Sequence, residues 1–258
     1  MSKISELLKL KDYITLTGTT LGLIAVMLVT IGGRTLISWG FFLLAFTFGT
    51  DLLDGYLARK TGTVNEIGKE LDSLNDSLTF GIAPAVLTFQ AFRNGTFYDY
   101  ILMIGCIIFA LGGILRLARF NISKEKEYMG VPTPLSGLVI LTYFYANYFY
   151  AVASYDLTGI DLFPIFSNLA IAIIMAFLGW TNITTQIKMG AKDKDKKVYI
   201  TFLIFAPLCP IFGILGFLFA NFWIGLVSCI IFFIFTAILL GFIVIKLIFT
   251  QIKKKEEV

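Results

Sequence analysis

The chain contains no histidine, only three cysteines and few charged residues. Without histidine it has neither Ser-His nucleophilic chemistry nor the commonest general base. Cys106, Cys209 and Cys229 stand alone, without the spacing of metal ligands, and nothing indicates a disulfide framework. We therefore interpret the cysteines as small apolar packing residues and look for chemistry among the other side chains.

Charged residues make up 15% of the 258 positions, whereas soluble domains carry about a quarter. Apolar residues make up 57%, and they fall into stretches long enough to cross a bilayer. We therefore predict an all-α, polytopic helical membrane protein. About eight spans are expected, near 14–32, 36–57, 71–92, 98–118, 134–153, 162–183, 198–219 and 223–246.

The basic residues predict the orientation of these spans. An even number of spans leaves both termini on one side, and of the 21 Lys and Arg residues only Arg34 and Arg93 fall in the loops of the other side. The positive-inside rule then places both termini in the cytoplasm. Ahead of the first span, residues 4–12 gather Ile4, Leu7 and Leu8 on one helical face, which predicts a short interfacial helix within residues 1–12.

Four aspartates interrupt the second and third spans, within DLLDGYLAR at 51–59 and GKELDSLND at 68–76. One ionised aspartate at the centre of a membrane helix costs about 2.5–3.5 kcal/mol, and four at such depth cost roughly 10 kcal/mol. A position near the cytoplasmic ends of the spans lowers that cost. Something must compensate for the remainder. The four residues are Asp51, Asp54, Asp72 and Asp76.

Their spacing indicates a metal site. Asp51 and Asp54 are i, i+3 on one helix, while Asp72 and Asp76 are i, i+4 on the next, so each pair projects from one helical face. The short connection makes the helices antiparallel neighbours. Four converging carboxylates repel one another unless cations lie between them. Oxygen ligands suit Mg²⁺, Mn²⁺ or Ca²⁺, and two such ions bridged by carboxylates are a common device for phosphoryl transfer.

Small residues accompany the aspartates. Gly55, Ala58 and Gly68 lie on or beside the aspartate faces, where the absence of bulk lets a ligand approach the backbone. Close helix packing is the alternative explanation, because membrane helices favour small residues at their contacts. The neighbouring aspartates favour the ligand pocket.

The pattern D-x-x-D-G-x-x-A-R, eight residues, G-x-x-x-D-x-x-x-D resembles the signature of the CDP-alcohol phosphatidyltransferases, and the chain matches it without departure from Asp51 to Asp76. The resemblance implies that the four aspartates bind two divalent cations, Mg²⁺ or Mn²⁺, and that Asp76 is also the base. It further implies a CDP-lipid pocket lined by Gly55, Ala58 and Gly68, and a homodimer.

Three looser stretches narrow the resemblance. DSLNDSLTFGIAPA at 72–85, LRLARFN at 115–121 and GVPTPLSG at 130–137 look like the subfamily that uses serine as acceptor. The resemblance covers roughly residues 10–185 and implies a six-span core over 13–185. Two additional spans and a basic tail then occupy 186–258, with packing or dimer contacts as their simplest role.

The implied activity is transfer of a phosphatidyl group from CDP-diacylglycerol, or an ether-lipid equivalent, to L-serine. Membrane lipids are the expected surroundings, and no nucleic acid is expected as a partner. Arg116 and Arg119, i, i+3 at the cytoplasmic end of the fourth span, are candidates to hold the acceptor carboxylate or a lipid phosphate. Simple anchoring of the span is the alternative. Arg59 is assigned to the CDP-lipid site, where it either orients an aspartate or contacts phosphate.

Two other functions fit parts of the pattern. A sibling enzyme that uses glycerol 3-phosphate or inositol phosphate would carry the same aspartate motif, because the motif serves the CDP-lipid half of the reaction. An ion-coupled transporter would also contain intramembrane acids. The clustering of all four acids near one end of adjacent spans disfavours the transporter.

Overall fold

The computed structural model describes residues 8–62, 66–123, 128–158, 163–189 and 221–256, together with residues 211, 214, 218 and 219. The described chain is helical apart from two short strands, β1 (Tyr128–Met129) and β2 (Lys188–Met189), which pair antiparallel. The prediction of an all-α fold is confirmed. The helical elements are α1 (Leu10–Ile31), α2 (Arg34–Thr61), α3 (Glu66–Asp76), a π-helical segment (Ser77–Ile82), α4 (Ala83–Phe92), α5 (Tyr98–Ile122), α6 (Thr133–Thr158), α7 (Ile165–Ile183) and α8 (Phe222–Glu256).

Six helices in the described part are long and apolar enough to cross a membrane, namely α1, α2, α5, α6, α7 and α8. The chain is therefore an integral membrane protein. The predicted number of eight spans is not confirmed. The third predicted span lies within the helical run from Glu66 to Phe92, which the π-helical segment divides into shorter parts. The seventh, 198–219, lies outside the described residues except at four positions.

The described residues include only the last part of the predicted N-terminal interfacial helix. Residues 1–7 lie outside the described residues, and positions 8 and 9 are not helical. Helix α1 begins at Leu10 because the backbone N–H of Lys9 donates to Oδ2 of Asp12 over 2.7 Å, which closes the first turn. Positions 10–12 thus belong to the first span.

Helix α6 is the centre of the bundle. Of its most apolar 18-residue window, 89% is buried by the rest of the protein, against 28% for α1. Stacked aromatic rings fill this core, with Phe41 of α2 on Phe144 and Phe149 on Phe232 of α8. The C-terminal helix α8 therefore packs directly against the core.

Helices α5 and α7 are in direct backbone contact where they cross. A Cβ on Gly112 would overlap the carbonyl oxygen of Gly179, and a Cβ on Gly105 would lie 2.7 Å from the carbonyl oxygen of Ala172. Each helix thus places two small residues seven positions apart at the contact. Since helices in lipid associate through close packing, these positions fix how near α5 and α7 lie.

The connection into α6 is held against the end of α7. Gly130 adopts a φ of 79°, and a Cβ there would overlap the carbonyl oxygen of Asn182, so only glycine fits. The N–H of Gly130 donates to Ile187 and that of Val131 to Thr181, each over 2.9 Å. This segment therefore has a defined position between α5 and α7, at the end of the bundle where α2 ends and α3 begins.

Candidate metal centre

Three of the four predicted aspartates converge. Asp51 on α2 and Asp72 and Asp76 on α3 each offer a carboxylate oxygen, and these oxygens lie within 4.8 Å of one another. One carboxylate oxygen of Asp76, Oδ1, is buried and has no hydrogen-bond partner among the described residues. Because a buried carboxylate needs a partner, this cluster suits a cation.

Asp54 lies beside this group but outside the set of three. It is 5% exposed, and its Oδ2 accepts a 2.7 Å hydrogen bond from Oγ1 of Thr15 on α1. The carboxylates still interact electrostatically, since Asp51 lies close enough to be repelled by both Asp54 and Asp72. That mutual repulsion is the energetic reason for a cation in their midst.

Helix α1 contributes residues that the sequence analysis did not single out. Besides Thr15, it buries the ion pair of Lys11 with Asp12, whose Nζ and Oδ1 lie 3.0 Å apart. Thr19 donates to Oδ1 of Asn75, the residue before Asp76, over 3.0 Å. The sequence did contain one indication that α1 contributes to the site, because the charged residues Lys11 and Asp12 stand at the start of an apolar span.

The second half of α3 is also held from the side. The side-chain amide of Asn121, near the end of α5, donates to Oγ of Ser73 over 2.9 Å. Ser73 follows Asp72 directly, so this contact joins the end of α5 to the helix that carries two of the aspartates. Immediately after Asp76 the helix widens into the π-helical segment Ser77–Ile82. Such segments are rare and frequently occur at functional sites.

The small residues of the motif lie on the same two helices. Gly55 and Ala58 are partly buried on α2, and Gly68 is buried on α3. The backbone of Arg59 belongs to α2, and its side chain lies outside the described residues. The motif thus places small residues on both walls, within about two turns of helix from the aspartates.

The two candidate arginines on α5 have different surroundings. Arg116 is 8% exposed, donates from Nη1 to Oγ1 of Thr133 over 3.1 Å, and interacts electrostatically with Asp76. Arg119 instead donates to two backbone carbonyls, that of Ile183 over 2.7 Å and that of Met129 over 2.8 Å. The structure therefore brings Arg116 to the aspartate cluster, whereas it places Arg119 as a clamp between β1 and the end of α7.

The amino-acid sequence matches the model of one known protein family. The model of the CDP-alcohol phosphatidyltransferase family matches residues 9–180, which include every helix from α1 to the greater part of α7. The family is dependent on divalent cations, in agreement with the converging aspartates.

Several curated relatives resemble the chain. A CDP-diacylglycerol–serine O-phosphatidyltransferase of Methanocaldococcus jannaschii is 38% identical over 141 residues, which cover 55% of this chain and 63% of that protein. An archaetidylserine synthase of Methanothermobacter thermautotrophicus is 33% identical over 177 residues, covering 67% of this chain and 69% of that protein. A Bacillus subtilis protein with the same name as the first is 35% identical over 112 residues, 42% of this chain and 62% of that protein.

The alignments thus span less than two thirds of the M. jannaschii and B. subtilis proteins. The family model, in contrast, covers well over half of the chain, and it includes all four aspartates of the motif. The chain belongs to the CDP-alcohol phosphatidyltransferase family.

Proposed function

We propose that this protein transfers a phosphatidyl group from a CDP-diacylglycerol-type lipid to L-serine, with release of CMP. The observation that carries the proposal is the convergence of Asp51 on α2 with Asp72 and Asp76 on α3. Serine as acceptor is supported by the names of the relatives from M. jannaschii, M. thermautotrophicus and B. subtilis. Because one of these names refers to archaetidylserine, the lipid donor is either ester-linked or ether-linked.

The four aspartates of the motif would hold two divalent cations, Mg²⁺ or Mn²⁺. The donor set fits, since it consists of carboxylate oxygens, one of them buried without a hydrogen-bond partner in the described chain. When bound, such cations neutralise the diphosphate and make CMP a better leaving group. Asp54, held by Thr15, is the ligand that lies at the edge of the cluster.

Asp76 accepts the proton of the serine hydroxyl. The serine oxygen forms a bond to the phosphorus that carries the diacylglycerol, the bond from this phosphorus to the oxygen of CMP breaks, and the proton goes to the carboxylate of Asp76. A base must lie within hydrogen-bond reach of the proton it removes. In a chain without histidine, Asp76 is suited to this role by its buried Oδ1.

The nucleotide lies along the start of the cluster on α2 and α3. Gly55, Ala58 and Gly68 leave room for the CDP group against the helix backbones, and Arg59 either contacts phosphate or orients an aspartate. This assignment is supported by the motif and by the position of the three small residues on the same helices as the aspartates.

The acceptor side is formed by Arg116, with Thr133 orienting its guanidinium. A guanidinium at this place binds the carboxylate of serine or a lipid phosphate through paired hydrogen bonds. Arg119, the second candidate from the sequence, has its two terminal nitrogens on backbone carbonyls, which favours an anchoring role for that residue.

The active site faces the cytoplasm, as do both termini, according to the distribution of Lys and Arg. Residues 13–185 form the catalytic core, residues 1–12 precede it, and residues 186–258 add further membrane helices. The packing of α8 on α6 supports a structural role for this C-terminal part. A homodimer follows from the family resemblance.

The test is CMP release by purified protein with Mg²⁺ or Mn²⁺, with CDP-diacylglycerol or its ether-linked equivalent as donor. Serine, glycerol 3-phosphate and inositol phosphate are compared as acceptors. We expect release that requires serine and stops with a chelator. Release with another acceptor only would assign a sibling activity. If folded protein shows no metal-dependent CMP release, the proposed enzymatic activity is overturned and the ion-coupled transporter is favoured.

A further inference from the structure

A cavity lies at the end of the bundle remote from the aspartates. This distal cavity, of about 530 Å³, is lined by the beginning of α2, the end of α4, the middle of α6 and the residues around the start of α7. Its size is that of ordinary small-ligand sites. Arg34 on its wall precedes Asp51 by 17 positions on the same helix, about 25 Å away along the helix axis. The distal cavity is thus separate from the metal centre.

Two arginines, Arg34 and Arg93, are among the residues that line this one cavity. They are also the two basic residues that the sequence assigns to the loops opposite the cytoplasmic side. The guanidinium of Arg34 lies over the rings of Tyr148 and Phe163, 5.8 Å and 5.6 Å from their centres. The aromatic rings therefore hold one cation against the cavity wall.

No side chain caps the start of α2 beside this cavity. The first turn of α2, which begins at Arg34, contains no acidic residue, and Gly33 offers it no side-chain oxygen. The nearby carboxylate of Asp99 accepts hydrogen bonds from the backbone N–H groups of Asn94 and Gly95, over 2.9 Å and 2.8 Å. Asp99 thereby fixes the turn that follows Arg93.

The rest of the lining is apolar and aromatic. Phe92, Phe144 and Phe163 form much of the wall, and Ser38 and Tyr148 also border an adjoining apolar crevice. Trp39, Phe42, Tyr145, Ile214 and Leu218 complete the lining of that crevice, and Trp39 is 40% exposed at the protein surface. A cationic pocket that continues into an apolar crevice at the surface of a membrane protein matches an anionic head group with a hydrocarbon chain.

We propose that the distal cavity binds an anionic phospholipid from the leaflet opposite the active site, with its phosphate between Arg34 and Arg93. One hydrocarbon chain lies in the crevice beside Trp39 and Phe42. Oδ1 of Asn168, which is buried and has no hydrogen-bond partner in the described chain, accepts a hydrogen bond from a head-group hydroxyl. The site is independent of the reaction, because its phosphate lies at the other end of α2.

The experiment measures thermal unfolding and lipid binding, by native mass spectrometry, of the delipidated full chain in detergent. The probes are dioleoyl phosphatidylglycerol, dioleoylglycerol with the same chains but no phosphate, and inorganic phosphate. The variants are Arg34→Gln and Arg93→Gln. Lys246→Gln is the matched control, because the ammonium of Lys246 also lies over an aromatic ring, 5.8 Å from the centre of Phe242, but on α8.

We expect phosphatidylglycerol to raise Tm by several degrees and the other two probes to leave it unchanged. Arg34→Gln and Arg93→Gln should each weaken phosphatidylglycerol binding about tenfold or more, while Lys246→Gln binds as the parent protein does. An equal rise of Tm with inorganic phosphate would mean that the cavity binds a free anion, and it would overturn the proposal. An equal shift with dioleoylglycerol, or equal loss in all three variants, would overturn it too. If Arg34→Gln fails to fold, the comparison of Arg93→Gln with Lys246→Gln tests the proposal, because Arg93 is exposed.

Discussion

Two helix pairs in this bundle meet through opposite kinds of residue. Helices α5 and α7 touch at Gly112 and Gly179, where nothing but backbone lies between them. Helices α2 and α3 face each other with carboxylates, which repel one another in the absence of a cation. The first contact contributes to stability and carries no charge, whereas the second lowers stability and is useful only with a ligand. Substitutions in the two pairs should therefore separate folding from activity.

The largest expected effect is that of Asp76→Asn. Loss of the proposed base and of one metal ligand should lower kcat by at least about 10³-fold, within the range of general base and metal contributions. Because one repelling charge is removed, Tm in chelator should stay equal or rise. Turnover and thermal unfolding of the same preparation measure both. Asp99→Asn, in the first turn of α5, is the control and should keep its activity. Near-normal turnover of Asp76→Asn would contradict its role as base.

The reverse outcome is expected at the crossing of α5 and α7. Gly112→Ala places a methyl group onto the carbonyl of Gly179, so the helices must separate, at a cost of about 1–3 kcal/mol in the free energy of unfolding. Activity per folded molecule at low temperature should change little. Gly241→Ala on α8 is the matched control, because no atom lies within 4 Å of its added Cβ. If both variants unfold at the same temperature, the crossing does not limit stability.

The two arginines of α5 sharpen the comparison within one helix. Arg116→Gln should raise the KM for serine about tenfold, the effect of losing about 1.4 kcal/mol of binding, and leave Tm nearly unchanged. Arg119→Gln should lower Tm, because two carbonyls lose their donor, and leave the KM for serine near that of the parent protein. Serine titrations and thermal unfolding of both variants measure the difference. If only Arg119→Gln raised the KM for serine, Arg119 would be the residue that binds the acceptor and Arg116 the structural one.

The smallest expected effect is that of Thr15→Val, which removes the hydrogen bond to Asp54 without a change of shape. A hydrogen bond to a charged group contributes about 1.5–3 kcal/mol at most, and water replaces part of it, so a fewfold rise in the Mn²⁺ concentration needed for half-maximal turnover is expected. Thr17→Val is the control, because the hydroxyl of Thr17 donates within its own helix to Tyr13. Equal Mn²⁺ requirements in the two variants would remove Thr15 from the site.

The sequence was sufficient for the local part of this structure. Helical spacing placed Asp51 opposite Asp72 and Asp76, and hydropathy identified the six long apolar helices. What escaped prediction depends on contacts between residues far apart in the chain. Thr15 reaches Asp54 from 39 positions away, and Arg119 reaches Ile183 from 64. No periodicity in the sequence encodes such contacts.

The N-terminal segment and the number of spans show a second limit. Hydropathy treats 71–92 as one uniform span, although the structure divides it with the π-helical segment, because hydropathy records how apolar a stretch is and not its hydrogen-bond pattern. Likewise, the amphipathic pattern of 4–12 did not indicate that α1 begins at Leu10, where Lys9 and Asp12 close the first turn with reciprocal hydrogen bonds.

The π-helical segment also sets an angular relation between the two ends of the protein. Each residue of an α-helix turns the chain by about 100°, and a turn closed by i→i+5 hydrogen bonds takes in an extra residue. Downstream of Ser77, the faces of α4 are therefore offset from those of an uninterrupted helix. An uninterrupted helix that kept Asp72 and Asp76 in the cluster would direct a side of α4 other than that of Phe92 toward the distal cavity. The wide turn thus allows the helical run from Glu66 to Phe92 to present one face to the aspartate cluster and a different face to the distal cavity.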